Sequence, residues 1–316
     1  MPQDMTVAYL GPPASHSHQA ALAAFDTEEH TFIPQTTIGG MHICYPFPTQ
    51  PSPFFLTHPD IFTAVQAGTT TYGVVPFENS TNGNVVFTLD LFRDRTGGYH
   101  ITGETYLTVH HSLLSSDGDL KSLTRLYSHP QAFGQCEDWL NSTLKGIERI
   151  DVSSTSRAAQ LVRDEPGSAA VASAAAAEPN GLRVLARNIE DTADNTTRFF
   201  VLAAENKRSP MSGEGAGDKT LVAFTVDHAQ PGALADGLKV FKTFGLNLTS
   251  IASRPSRKTR WNYVFFVEFE GHEDAQNVKD ALENLWEFCD EMRVLGSYVD
   301  KQKLAKKPAA TQPPLN

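Results

Sequence analysis

A repeated unit of strand, polar turn and helix limits the folds that the first two thirds of this chain can adopt. The apolar run Thr6–Leu10 leads through GPPASHS into a helical pattern, and Tyr72–Phe77 leads through ENSTNG into another. The unit returns at Leu126–Ser128, Ile150–Ser153 and Ala169–Ala172, where SAAAAEP follows as a helical segment. Strands that alternate with helices predict an α/β fold with largely parallel sheets.

The turns of this unit predict a site for an anion. In parallel sheets, ligands bind beyond the carboxyl ends of the strands, where helix N-termini offer free backbone N–H groups. These turns are rich in Ser, Thr, Asn and Gln and contain few acidic residues. Capping of the next helix explains Ser17, Ser80, Ser154 or Ser156 equally well when each is taken alone. Several such turns together favour an anion pocket.

The last third of the chain has a different pattern, with four strands and two helices in the order βαββαβ. The strands are DKTLVAFTVD (218–227), NLTSIASRP (247–255), YVFFVEFEG (263–271) and RVLGSYV (293–299). The first helix begins near Pro231–Gly232, turns Leu234, Leu238 and Phe241 to one face, and ends at Gly245. The second turns Val278, Leu282, Leu285, Trp286 and Cys289 to one face. This order predicts a ferredoxin-like module.

Three segments lack an apolar period. Residues 36–60 are rich in proline and aromatics, so we expect a surface insertion that packs its aromatics on its neighbours, or alternatively an interface arm. Residues 205–218 are rich in Gly, Ser and charge, which predicts a linker. Residues 301–316 have the composition of a disordered tail.

The bulk properties exclude several classes of partner. The formal net charge of −10 repels nucleic-acid phosphates and anionic lipid, so neither nucleic acid nor membrane is an expected partner. Cys44, Cys136 and Cys289 lie far apart, which argues against a disulfide framework or zinc cluster. The sequence has no signal-peptide pattern and no apolar run near the ~18 residues of a membrane span. A cytoplasmic protein is expected.

Several motifs, taken in their order and spacing, resemble prephenate dehydratase followed by an ACT regulatory domain, over Thr6 to Tyr298. They are GPPASHSHQAA (11–21), DIFTAVQAG (60–68), GVVPFENSTNG (73–83), YSHPQAF (127–133), STSRAA (154–159), AAVAS (169–173), NTTRFFVLA (195–203), PGAL (231–234) and SRP (253–255). The triplet Thr197-Arg198-Phe199 is the most distinctive of them. The Pro-Phe-Glu-Asn-Ser run at 76–80 is nearly as specific.

The resemblance implies a two-lobed catalytic half like a periplasmic binding protein, followed by the ACT module. The catalytic domain would cover 1–204, with lobe one at about 1–105 and 190–204 and lobe two at about 106–189. Residues 205–218 would link it to an ACT domain at 219–300. Subunits would assemble as a homodimer or homotetramer through these modules.

The resemblance also implies an activity, the decarboxylating dehydration of prephenate to phenylpyruvate in phenylalanine biosynthesis. Such a carbon–oxygen lyase needs no cofactor and no metal, and phenylalanine would be its effector. One alternative is arogenate dehydratase, which does the same chemistry on the amino analogue. Another is a non-catalytic sensor that kept the cleft.

The resemblance places Thr197 at the leaving hydroxyl, as a positioned donor or a link in a proton relay. Arg198 suits a carboxylate, but strand alternation turns it away from Thr197, so one of the two serves the cleft and the other the hinge. Glu78 would orient Asn79, cap a helix or supply the proton. The neutral donors suited to the dianion are Asn79, Ser80, Ser128, Gln131, Thr155 and Ser173.

Other chemistry has little support in the sequence. Ser128 and His129 invite a Ser–His–acid triad, but no Gly-x-Ser-x-Gly elbow flanks a serine. The pairs His16–His18 and His110–His111 lack the helix-face spacing of metal ligands.

The resemblance assigns phenylalanine binding to Gly232-Ala233-Leu234 and to a Glu-Ser-Arg-Pro motif. Here the second motif reads Ala252-Ser253-Arg254-Pro255, so the glutamate is absent. Glycine at 232 suits a close backbone approach to the ligand. The catalytic half also departs from the family pattern, with Ala14 and His16 in place of Gly and Tyr and with Ala172 in place of Gly.

Overall fold

The computed structural model describes residues 5–38, 60–207 and 217–306. The chain divides into two compact units. The first comprises Met1–Ala64, Thr70–Gly83 and Tyr106–Phe199, and the second comprises Val65–Thr69, Asn84–Thr105 and Phe200–Asn316. The second unit therefore contains the predicted ACT region together with a stretch of the predicted catalytic half.

The predicted catalytic half contains strands and short helices that alternate along the chain. The strands are β1 (Met5–Leu10), β2 (His30–Gln35), β3 (Tyr72–Asn79), β4 (Gly83–Asn84), β5 (His100–Thr108), β6 (Ser112–Ser115), β7 (Arg125–Ser128), β8 (Glu148–Asp151), β9 (Ser168–Ala172), β10 (Arg183–Arg187) and β11 (Thr196–Ala203). The helices are α1 (His16–Ala24), α2 (Ile61–Gln66), α3 (Val86–Asp94), α4 (Pro130–Gly134), α5 (Glu137–Thr143) and α6 (Thr155–Val162). This alternation agrees with the predicted α/β class.

These strands form two sheets. The first has the order β2-β1-β3-β11-β5, with β4 paired to β3, and β1 is parallel to both β2 and β3. The second has the order β10-β6-β9-β7-β8. Its β7 is parallel to β8 and β9, whereas β6 is antiparallel to β9 and β10. The expected parallel pairing holds for β7, β8 and β9, whereas β6 and β10, which were not among the predicted strands, add antiparallel pairs.

The last third has the predicted βαββαβ order. Its elements are β12 (Asp218–Thr225), α7 (Ala233–Thr243), β13 (Leu248–Pro255), β14 (Tyr263–Glu270), α8 (Gln276–Trp286) and β15 (Glu291–Val299). The antiparallel sheet has the order β13-β14-β12-β15. Gly245 ends the helical region after α7 with a φ of 69°. The predicted ferredoxin-like module is therefore confirmed.

The core of this module lies between its sheet and its two helices. Buried side chains come from β12 and β14 and from both helices: Val222, Phe224, Val267, Phe269, Val240, Phe241, Val278 and Leu285. The predicted inward face of α8 is wrong for Trp286, which is 54% exposed. It follows the buried Leu285 directly, and its position about 100° further round the helix leaves the indole at the exposed edge of that face.

Two further segments differ from the sequence prediction. The segment after Ala172 forms two 3₁₀ turns, Ala174–Ala176 and Glu178–Asn180, because Pro179 interrupts a continuous helix. The start of the predicted disordered tail is a helix, α9 (Lys301–Lys306).

The remaining organisational predictions fall largely outside the described residues. This applies to 39–59 of the insertion, 208–216 of the linker and 307–316 of the tail. Among the described helices, none combines the length and the hydropathy that crossing a bilayer requires.

A buried charge cluster lies within the second unit. Lys219 of β12 is 3% exposed, and its Nζ lies 2.9 Å from Glu104 Oε2, 3.6 Å from Glu268 Oε1 and 3.8 Å from Asp300 Oδ1. The Tyr298 hydroxyl donates to Glu268 Oε2 at 2.7 Å. Because all three carboxylates are buried, the one ammonium group offsets much of the cost of their desolvation.

We therefore expect Lys219→Met to destabilise the second unit by about 3–5 kcal/mol, the usual cost of removing one partner from a buried ionic group. Lys258→Met is the matched control, since Lys258 pairs with Glu291 at the surface and such pairs contribute about 0–1 kcal/mol. Urea unfolding followed by far-ultraviolet circular dichroism measures both losses. Equal losses in the two variants would contradict the interpretation.

Candidate functional site

Asn79, at the end of β3, is the centre of a hydrogen-bond network in the first unit. Its Oδ1 accepts from the backbone N–H groups of Thr81 and Asn82 at 3.0 and 2.9 Å. Its Nδ2 donates to Asn195 Oδ1 at 2.7 Å and to Thr197 Oγ1 at 3.0 Å. The amide thus holds the turn after β3 against the start of β11 and contacts the predicted catalytic hydroxyl directly.

A second pair joins the same two strands, one residue earlier in β3 and one residue later in β11. Arg198 Nη1 lies 3.9 Å from Glu78 Oε2, and the guanidinium group lies 5.4 Å from the ring centre of Phe77 and 6.0 Å from that of Tyr106. Arg198 is 6% exposed, whereas Thr197 is half-buried. Successive residues of a strand point to opposite faces, so Thr197 meets Asn79 while Arg198 meets Glu78.

Ser80 braces this turn. Its backbone N–H donates to the Thr196 carbonyl at 2.9 Å, and its hydroxyl accepts from the Thr196 N–H at 2.9 Å. The same hydroxyl lies 3.4 Å from the Asp194 carbonyl oxygen. Ser80 was predicted as a substrate donor, and in the structure its hydroxyl fixes the two segments that carry Asn79 and Thr197.

The other predicted donors lie on the second sheet and its helices. The buried Ser128 hydroxyl donates to the Val171 carbonyl at 2.7 Å. Ser173 caps the first 3₁₀ turn and accepts from Gln19 Nε2 of α1 at 3.0 Å. Thr155 is the first residue of α6, and Gln131 is exposed in α4. The network around Asn79 therefore contains only part of the predicted donor set among the residues that the structure describes.

Helix capping accounts for several polar residues of the turns. Ser154 accepts from the Arg157 N–H at 3.0 Å, and Ser15 accepts from the His18 N–H at 3.2 Å. His129 caps α4 through Nδ1, which accepts from the Gln131 N–H at 3.2 Å. This capping role gives His129 a structural function, which weakens the case for a Ser–His–acid triad. Ser17 and Ser156 lie inside helices, so the capping interpretation is wrong for them.

The paired histidines have protein partners. His18 Nδ1 accepts from the Ala14 N–H at 3.0 Å, and its ring stacks on Tyr9. His110 Nδ1 lies 2.6 Å from Glu190 Oε1, and Glu190 Oε2 accepts from the His111 N–H at 2.8 Å. Within residues 5–38, 60–207 and 217–306, no group of side chains has the arrangement of a metal site.

His16 and His111 form a contact that the sequence did not reveal. Their rings meet edge to face with centres 6.0 Å apart. Burial, and secondly the proximity of His111, lower the pKa of His16 to about 4. Burial also lowers the pKa of His111, whose Nε2 pairs with Gln135 Oε1 at 2.8 Å. The only sequence signal was the unusual histidine within the GPPASHS turn.

Ala14, another departure from the family pattern, adopts a left-handed backbone with a φ of 66°. Such a conformation costs an L-residue roughly 1–2 kcal/mol, which explains why glycine suits this position. The methyl group is buried in a cluster with Leu114, Ala158 and Ala172. Burial of the methyl group offsets part of that strain.

The predicted effector residues lie in the second unit. Gly232 has a φ of 87° and precedes α7, which begins at Ala233 and continues through Leu234. Ser253, Arg254 and Pro255 end β13, the edge strand of the sheet.

Arg254 contacts α3 in addition to its place on β13. Its Nε lies 2.6 Å from Asp90 Oδ1, and its Nη2 lies 3.2 Å from Asp90 Oδ2. Burial raises the pKa of Asp90, but the hydrogen bond from Arg254 and the charges of Arg93 and Arg257 outweigh it and leave the pKa below its ordinary value. Arg93 also donates to the Pro255 carbonyl at 2.9 Å. These contacts attach the predicted effector motif to α3.

Comparison with known proteins gives a consistent family. Models described as "Prephenate dehydratase" and "ACT domain" match residues 49–207 and 221–287. A bifunctional chorismate mutase/prephenate dehydratase from Aquifex aeolicus is 39% identical over 292 residues, covering 92% of this chain and 73% of the relative. Arogenate dehydratase 2 from Petunia hybrida is 38% identical over 262 residues, covering 77% of this chain and 64% of the relative.

A solved structure is similar over nearly the whole length. It is a prephenate dehydratase from Arthrobacter aurescens in complex with L-Phe, with a TM-score of 0.80 and 28% identity, covering 97% of this chain and 92% of that one. This likeness confirms the predicted fold class, a periplasmic-binding-protein-like α/β half followed by an ACT module.

The low pKa of His16 predicts a loss of stability in acid. Between pH 6.5 and about 4 the unfolded chain binds a proton at this residue that the folded protein does not, so stability falls as the pH falls through this window. His16→Gln removes that part of the pH dependence. Denaturant unfolding at several pH values measures it, and an NMR titration of the ring checks the assignment. A His16 ring that titrates near pH 6.5 would contradict the prediction.

Proposed function

The chain belongs to the prephenate dehydratase family and carries an ACT domain, and we propose that it converts prephenate to phenylpyruvate in the cytoplasm, as a step in phenylalanine biosynthesis. The observation that carries the proposal is the hydrogen bond from Asn79 Nδ2 to Thr197 Oγ1. It joins the two most distinctive motifs of the sequence at one point.

The reaction needs little from the protein beyond positioning and one proton. The bond from the ring to its carboxylate breaks, carbon dioxide leaves, and the electron pair enters the ring. The bond to the ring hydroxyl breaks at the other end, and the departing oxygen takes a proton to become water. The ring becomes aromatic, which supplies the driving force. A donor at the leaving hydroxyl therefore has the most to contribute, typically 10²–10⁴-fold in rate.

Thr197 suits that donor role because of how its oxygen is bonded. A hydroxyl has one proton to donate and lone pairs to accept with. Asn79 Nδ2 occupies one lone pair of Thr197 Oγ1, so the hydroxyl proton is free to point at the substrate. Hydrogen bonds in such a chain polarise one another, which strengthens the donor. We assign Asn79 the role of orienting and polarising Thr197.

Arg198 and Glu78 point away from Thr197 and Asn79, on the opposite face of the same two strands. Since Thr197 is assigned to the substrate, we propose that the buried guanidinium group of Arg198, at 6% exposure, braces the hinge rather than a substrate carboxylate. Glu78 lies 3.9 Å from Arg198 Nη1, so it orients the arginine in this proposal.

Gln131, Thr155 and Ser173 lie at the starts of helices, where they and the backbone N–H groups are suited to the substrate's oxygens. The Ser128 hydroxyl donates to the Val171 carbonyl, so we assign Ser128 a structural role in the second sheet rather than a contact with the substrate.

Two compounds that undergo the same reaction, prephenate and arogenate, are candidates for the substrate. The Petunia hybrida relative is named an arogenate dehydratase, and its identity to this chain is close to that of the Aquifex aeolicus relative. The two substrates differ only in a keto or amino group on the side chain. Incubation with each, followed by detection of phenylpyruvate or phenylalanine, separates them. Absence of product from both would leave a non-catalytic sensor.

Substitution of Thr197 tests the donor role. We expect Thr197→Val to lower kcat by about 10²–10⁴-fold, because the shape is kept and the donor is lost. Thr197→Ser keeps the hydroxyl and should retain kcat within about tenfold. Steady-state formation of phenylpyruvate from prephenate measures both. Equal turnover in the two variants would remove the proposed role.

For regulation, we propose that phenylalanine binds the ACT domain at Gly232, Ala233 and Leu234 and at Ser253, Arg254 and Pro255. The Arthrobacter aurescens structure, described as a complex with L-Phe, supports this effector. The absent glutamate at Ala252 removes one charged contact of the family motif. The Arg254–Asp90 pair offers a route for the signal, because α3 begins at Val86, a few residues beyond the Asn79 turn.

The edge strand β13 supports assembly as a homodimer or homotetramer. Ile251 is 50% exposed and Leu248 is 36% exposed on this strand. An edge strand with exposed apolar side chains is suited to pairing with a second copy. Sedimentation measures the oligomer directly.

The coupling route predicts a separation of binding from inhibition. In Asp90→Asn the carboxylate partner of Arg254 is lost, so phenylalanine should still bind while its inhibition weakens by about tenfold or more, since a bond to a charged group contributes about 1.5–3 kcal/mol. Gly232→Val is the control, because its Cβ blocks the proposed approach to the ligand and should abolish binding. Calorimetry with phenylalanine and inhibition curves give the two readouts. Unchanged inhibition in Asp90→Asn would rule out this route.

A further inference from the structure

Asn195, the first residue of the NTTRFFVLA motif, is a buried residue of the network that was not among the predicted site residues. It directly precedes β11 and is 3% exposed. Its carbonyl oxygen accepts from the Val109 N–H at 2.7 Å, and its Oδ1 accepts from Asn79 Nδ2 at 2.7 Å. Asn79 Nδ2 also reaches Thr197 Oγ1 at 3.0 Å, so the Asn195 amide lies next to the proposed donor.

The orientation of the Asn195 amide follows from its neighbours. Asn79 Oδ1 accepts from two backbone donors, Thr81 N–H and Asn82 N–H, which a nitrogen in that place could not do. Asn79 must therefore present its nitrogen to Asn195. Asn195 must present its oxygen in return, and its own Nδ2 is turned away from Asn79.

That nitrogen is buried and has no hydrogen-bond partner among the residues that the structure describes. Buried side-chain donors are nearly always paired, because leaving one unpaired forfeits its bonds to water. An NH₂ group can only donate, so the partner that satisfies it must be an acceptor. The side chains that bond to Asn79 or Asn195 are neutral. None of them therefore offers a carboxylate that would accept from Asn195 Nδ2 in place of a ligand.

We propose that Asn195 is a substrate-binding residue, whose Nδ2 donates a hydrogen bond to an anionic oxygen of the substrate while its Oδ1 positions Asn79. The inference rests on the proposed function, and it adds a contact to the same site. A carboxylate is the favoured acceptor, because hydrogen bonds to charged groups are roughly twice as strong as neutral ones. One residue thus links recognition of the anion to the orientation of Thr197.

Two substitutions separate the roles of its two side-chain atoms. Asn195→Asp keeps the acceptor facing Asn79 and replaces the donor with a charged oxygen. We expect KM for prephenate to rise at least about tenfold, the value of one charged hydrogen bond, and to rise further at low ionic strength, where repulsion is least screened. Asn195→Ala removes both atoms without adding charge, and its KM should rise with a weaker salt dependence.

A double-mutant cycle that combines Asn195→Ala with Asn79→Ala tests whether Asn195 acts only through Asn79. If it does, Asn195→Ala adds nothing in the Asn79→Ala background; direct contact with the substrate predicts a further rise in KM of about tenfold. Thermal unfolding of every variant checks the fold, and should Asn195→Asp fail to fold, the alanine cycle decides the question alone.

Wild-type turnover is measured first, with both prephenate and arogenate. No turnover with either would overturn the proposed function, and calorimetric titration of wild type and Asn195→Ala with prephenate would then decide the binding role. An active wild type whose Asn195 variants keep KM within about twofold would overturn the inference alone.

Discussion

The carboxamide of Asn79 holds together the two segments on which the candidate site depends. Its oxygen fixes the turn after β3, and its nitrogen reaches both Asn195 and Thr197 at the start of β11. These segments are separated by more than a hundred residues of sequence, and the strand pairing of β3 with β11 brings them side by side. An amide suits this place because it donates and accepts at once, whereas a carboxylate would repel an anionic substrate.

The second unit is organised by buried charge. Lys219 lies among Glu104, Glu268 and Asp300, and the residues come from β5, β12, β14 and the end of the module. Buried ionic groups contribute little net stability, but they are costly to separate. The cluster joins Glu104, from a stretch of the predicted catalytic half, to the ACT strands within one compact unit. The pair Arg254–Asp90 adds a second connection of the same kind.

Much of the fold was predictable because local periodicity reflects burial. The period of α7 and α8 gave the inward face of the ACT module, and the repeated strand–turn–helix unit gave the α/β class. Trp286 was misassigned because it lies at the edge of the apolar face of α8, where burial depends on the tertiary packing, and there it is 54% exposed. The antiparallel strands β6 and β10 were not among the predicted strands, and their pairing depends on partners distant in sequence. Asn195 lies in a quoted motif, but its role was missed because burial and contact with Asn79 depend on a distant segment.

The sequence by itself determined the family and the order of elements in the ACT module, and it proposed the residue types of the site, since each of these depends on local pattern or on motifs in fixed order. Only the tertiary structure decided that Asn79 bonds to Thr197, that Glu78 faces Arg198, and that Arg254 bonds to Asp90. The physical reason is that a hydrogen bond or ion pair depends on distances of a few ångströms between side chains. Those distances are set by packing of segments far apart in the chain, which no local pattern records.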